Sequence, residues 1–99
     1  MSASSADYPE PYPGWLSLRE IDTAQGREKG AAFRAFKSLL PELAEGRDFV
    51  ALDHRLHSTL AAALHAAGRV YRGTVNPVLL SPAAAALVAA ALKPLSALR

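Results

Sequence analysis

The chain contains no cysteine. That excludes disulfide scaffolds, thiolate zinc fingers, iron–sulfur sites and cysteine nucleophiles. Bulky core material is scarce too: 99 residues hold five valines, one isoleucine, three phenylalanines and one tryptophan. The longest uncharged run, Gly73 to Leu92, is interrupted by Thr74, Asn76, Pro77, Ser81 and Pro82, which rules it out as a membrane span. The start of the chain has neither the basic cluster nor the apolar run of a secretory signal, so the expectation is a soluble cytoplasmic protein. Phosphate-cradling glycine loops, dinucleotide fingerprints and Gly-x-Ser-x-Gly elbows are missing as well. Function must therefore be sought in charge placement and fold.

What is plentiful is small and apolar: 21 alanines and 15 leucines dominate a hydrophobic content of 51%. One small domain with a modest core follows, and such a core gains from pairing with a second surface. The formal charge of +2 is unevenly spread. Residues 1–14 carry Asp7 and Glu10 and no base. Arg27, Lys29, Arg34 and Lys37 face a single acid, Glu28, and no acid follows Arg69. A positive field of this kind draws anionic partners, nucleic acid foremost.

Residues 1–14 read as a disordered tail, because Pro9, Pro11 and Pro13 alternate with Tyr8, Glu10 and Tyr12 and proline favours extended backbone. Residues 15–99 form the domain. Ser17 and Glu20 have the spacing of a capping box, which opens a helix from Leu18 to Ala24 with Leu18 and Ile21 inward. Gly26 suits its left-handed exit. A second helix spans Ala31 to Leu40, with Ala32, Phe33, Phe36, Leu39 and Leu40 on one face and Arg34 and Lys37 turned outward. Pro41 stops it. Arg47–Leu52 reads as a strand. Asp53 is placed to cap a third helix over 54–67, with Leu56, Leu60, Ala63, Leu64 and Ala67 inward. Arg69–Arg72 and Val75–Leu80 suggest a hairpin turning at Gly73, its second strand weakened by Pro77. Ser81 and Pro82 then start a fourth helix. The fold class is α+β.

The stretch Trp15–Leu40 is the most informative. A capped helix, a glycine-bearing turn and a second helix with an outer basic side make a helix-turn-helix unit. In outline this stretch resembles small winged-helix and excisionase-type DNA-binding proteins. The resemblance implies a winged-helix-like fold and sequence-specific binding of double-stranded DNA by a small transcriptional regulator of the kind found on bacterial phages and mobile elements. Ala31 and Arg34 would meet base edges. Arg27, Lys29 and Lys37 would hold phosphates, and the free N–H groups around Gly30 would accept another. Arg69 and Arg72 would contact phosphates from the wing.

The alternative is a protein-interaction module. The last helix is apolar nearly all round, and Leu87, Val88, Ala91 and Leu95 form a candidate homodimer face. His54, His57 and His65 read as surface residues, since no third ligand completes a metal site. Glu42 and Glu45 read as solvated acids. No cofactor and no enzymatic activity is expected.

Overall fold

The computed structural model describes residues 12–92. The expected tail up to residue 11 and Leu95 lie outside the described residues. Eight short elements follow one another: β1 (Leu16–Ser17), α1 (Leu18–Ala24), α2 (Ala31–Leu39), a single 3-10 turn (Leu40–Glu42), β2 (Phe49–Ala51), α3 (Ser58–Ala66), β3 (Val78–Leu80) and α4 (Pro82–Ala91). The architecture is α+β, four helices on a three-stranded antiparallel sheet ordered β1-β3-β2.

Local sequence chemistry accounts for the helix ends. The Ser17 hydroxyl accepts from the Glu20 amide, and the Glu20 carboxylate accepts from the Ser17 amide, closing both halves of the capping box. Gly26 lies just past α1 with φ +65°, a conformation that costs glycine nothing. Proline at position 41 ends α2 in a 3-10 turn. Ser81 caps α4 through the Ala84 amide, with Pro82 in the first turn, where a missing donor is harmless.

The hairpin does not form. Val78–Leu80 is instead the central strand, pairing with both β1 (Leu16 opposite Leu80) and β2 (Val50 opposite Leu79). Proline is tolerated because it precedes the strand; its carbonyl accepts from the Leu52 amide, and only its absent donor is lost to the ladder. Residues 69–76 form a loop and carry no wing strand.

Two apolar clusters flank the sheet. One gathers Ile21, Ala31, Ala32 and Phe36 of α1 and α2 against Leu80 and the Ala84, Ala85 and Val88 face of α4. The other joins Val50, Leu52, Leu64, Val70 and Leu79, with Tyr12, Trp15 and Leu60 against it. The outward orientation expected of Ala31 is thus overturned: it is buried, and Phe33 is the exposed residue, 46% accessible. The buried face of α2 thus begins at Ala31 and leaves Phe33 outside, because the Gly30 and Ala32 amides tie the first turn to Asp22 of α1.

The third helix starts four residues later than expected. Asp53 closes a turn, its carbonyl accepting from Leu56 and His57 and its carboxylate from the Arg55 amide. Leu56 accordingly points into solvent, 78% exposed, and Ala63 and Ala67 are exposed as well.

Candidate functional site

The relation between α1 and α2 is set by a residue that carried no assignment in the sequence. Asp22 is 1% exposed. One of its carboxylate oxygens accepts from the Ala32 amide at 2.7 Å, and the other accepts from the Gly30 amide at 3.1 Å and the Tyr71 hydroxyl at 2.5 Å. Gly30 is the N-cap of α2 and has no side chain to offer, so a carboxylate from the preceding helix performs the capping. Helix dipole and charge agree, since a helix N-terminus favours a negative group. Gly30 sits at φ +97°, and a Cβ there would lie 3.2 Å from Arg34 Nη1.

This geometry overturns one expected contact. The Gly30 and Ala32 N–H groups are bound by Asp22, and the Ala31 N–H donates to the Glu28 carbonyl. The α2 entrance therefore has no free donors for a phosphate at these three positions.

Tyr71 ties the 69–76 loop to the same carboxylate. Burial, then the hydrogen bond to Asp22 and the nearby negative charge, push its phenol up to about 12. Arg19 and Lys29 lie over its ring, at 5.6 and 5.1 Å from the centroid. Arg19 Nη1 also donates to the Val70 carbonyl.

Arg69 is not a phosphate contact. Its side chain is only 11% exposed and forms an ion pair with Glu20, Nε to Oε2 at 2.8 Å, while Nη2 donates to the other Glu20 oxygen and to the Trp15 carbonyl. The Ser17 hydroxyl donates to the Arg69 carbonyl. Burial opposes ionisation of Glu20, but the hydrogen bonds from Arg69 and Ser17 prevail and hold its carboxyl below the usual value. Arg69 fastens the loop to the capping box and is spent there.

Of the remaining expected cations, four lie on α2 or the turn before it, and Arg72 lies on the loop. Arg34 and Lys37 are exposed on its outer side, Lys37 Nζ lying 5.2 Å from the Phe33 ring centroid. Lys29 precedes the helix, and Arg72 is exposed on the loop next to Tyr71. Arg27 is largely covered and bonds Glu28. Glu28 also meets Arg34 Nη2 at 2.6 Å. Its own backbone N–H and the two arginines lower its carboxyl below the ordinary value. The result is a partly compensated basic stretch with one exposed aromatic, Phe33, beside Lys37.

Phe33, Lys29 and Tyr71 also border an open groove of about 430 Å³ between α1, the start of α2 and the 70–78 stretch. Neither the groove nor the role of Asp22 was signalled by a local motif: the carboxylate and its Tyr71 partner are 49 residues apart. His54 and His65 brace the far side of this loop, His54 against the Asn76 side-chain oxygen and His65 Nε2 against the Thr74 carbonyl.

Of the candidate dimer residues, Val88 is fully buried within the chain, so it is core and not interface. Leu87 and Ala91 are exposed. No described helix is long and apolar enough to cross a membrane. Comparison with family models, curated proteins and solved structures returns no match.

Proposed function

We propose that this chain is a small helix-turn-helix DNA-binding regulator that reads duplex DNA with the outer side of α2. The observation that carries the reading is that Arg34 and Lys37, with Phe33 beside Lys37 and Lys29 just before the helix, are all exposed on a helix whose entry is held by Asp22. A recognition helix needs this combination, because contacts to base edges and phosphates require exposed donors and a rigid frame. Arg34 is the candidate for base readout, and Lys37, Lys29 and Arg72 for phosphate contact. Arg69, Ala31 and the amides around Gly30 drop out. The 69–76 loop, which carries Arg72, would take the part of the wing, a looser arrangement than a winged-helix hairpin.

Fluorescence anisotropy of a labelled duplex across a salt series tests this. Affinity should fall steeply with salt, since phosphate contacts release counterions. Lys37→Ala should weaken binding to all sequences alike and reduce the salt slope by about one. Arg34→Ala should cost about 1–3 kcal/mol and relax sequence preference. Binding by both variants equal to the parent's overturns the reading.

A second reading, docking of a protein partner or a second copy through α4, draws support from Leu87, a large side chain left 52% exposed on an alanine-lined surface.

A further inference from the structure

We propose that the groove between α1, the start of α2 and the 70–78 stretch is a binding site for a small aromatic anion, a flat one- or two-ring compound bearing a single carboxylate or sulfonate. Its volume, about 430 Å³, lies within the range of small-molecule pockets. Its walls are apolar: Leu18 from α1, Phe33 from α2, and Val70 and Val78 from the other side. Phe33 is nearly half exposed although it belongs to a helix with an apolar face to fill. An aromatic ligand lying against it would remove that surface from water and gain ring–ring contact.

The mouth of the groove selects the charge. Arg19 and Lys29 converge on the Tyr71 ring, and neither makes an ion pair among the described residues. The one acid in the lining, Asp22, is buried, and its oxygens are taken by two amides and the Tyr71 hydroxyl; against its single charge the two cations leave an excess of one positive charge at the groove. Two cations held over a phenol at the edge of an apolar cleft complement a ligand with an apolar body and an anionic end. Thr74 and Asn76 complete the polar side.

The groove shares Lys29 and Phe33 with the proposed DNA surface, but its proposal does not rest on that reading, since duplex binding can fail while the groove still takes its ligand. The probe is 1-naphthalenesulfonate, titrated by its own fluorescence against the whole chain, with uncharged 1-naphthalenemethanol as comparison and amide chemical shifts as the map. The expected result is saturable one-to-one binding of the sulfonate, with shifts at Leu18, Gly30, Phe33, Tyr71 and Thr74. Lys29→Gln should weaken it about threefold, the size of an exposed ion pair, and Phe33→Ser should weaken both probes. Four results overturn the proposal: no saturable binding, equal affinity for the uncharged probe, affinity unaffected by both substitutions, or shifts centred on Leu16 and Ala85 in the shallower cleft beside α4.

Discussion

Asp22 ties α1, the entry of α2 and the 69–76 loop together. A buried carboxylate is costly unless its oxygens are satisfied, and here three donors from α2 and the loop satisfy it. Asp22→Ala leaves the Gly30 and Ala32 amides without a cap and the Tyr71 hydroxyl without an acceptor. The expected loss is about 2–4 kcal/mol, the sum of a lost cap and a charge-assisted hydrogen bond, read as a lower urea midpoint at unchanged slope. Asp22→Asn should lose less, because its amide oxygen still accepts. Tyr71 supplies a second test. Its phenol titrates near 12 in the folded chain, above the ordinary value of about 10. The fold therefore favours the protonated form. This contribution is complete below the ordinary value and disappears as pH rises through about 12. An ultraviolet titration should show a tyrosine ionising near 12 that is missing from Tyr71→Phe, and the same substitution should flatten the alkaline loss of stability.

At the scale of elements, contacts made within a few residues were legible and contacts made across the chain were not. The Ser17–Glu20 box, the Gly26 exit and the Ser81–Pro82 start all lie within one turn of helix, so spacing alone defines them. The loop over 69–76 is different. It had the alternation of a strand, yet its backbone carbonyls are claimed by side chains from outside the loop: Arg69 by Ser17, Val70 by Arg19, Thr74 by His65. Those long-range ties displace hairpin pairing, and Val78–Leu80 pairs with β1 and β2 instead. The half of the candidate site on α2 was visible because Arg34 and Lys37 follow helical spacing; the half on α1 and the loop was not, because Asp22, Arg19 and Tyr71 meet only in three dimensions. The Glu20–Arg69 tie has its own pH signature. The Glu20 carboxyl is held below its usual value, so the stability it contributes is present above the unfolded value of about 4.3 and is lost as pH falls through the lower folded value. Acid denaturation followed by circular dichroism should show this loss in the parent and a shallower acid limb in Glu20→Gln.

At the scale of the whole molecule, the question is how so small a basic surface would read DNA. Arg34 shares its charge with Glu28, and Arg69 is withdrawn into an ion pair, leaving a handful of exposed cations per chain. A lone helix contacts only part of one turn of duplex, and two copies on half-sites one turn apart would double both phosphate neutralisation and base contacts. The α4 surface carries the exposed Leu87 needed for such pairing, whereas its neighbour Val88 is enclosed by Ile21, Phe36 and Leu80 in the same cluster. The two residues should therefore respond differently to the same change. Leu87→Glu should leave the melting transition within about 0.5 kcal/mol of the parent, as expected of a surface substitution. It should also abolish any dimer seen by sedimentation and weaken binding to a two-half-site duplex far more than to a single half-site. Val88→Glu should instead unfold the chain, since it places a charge in a dry core. If Leu87→Glu binds the two-half-site duplex as tightly as the parent, α4 is not the pairing surface, and the DNA reading has to stand on one copy of α2.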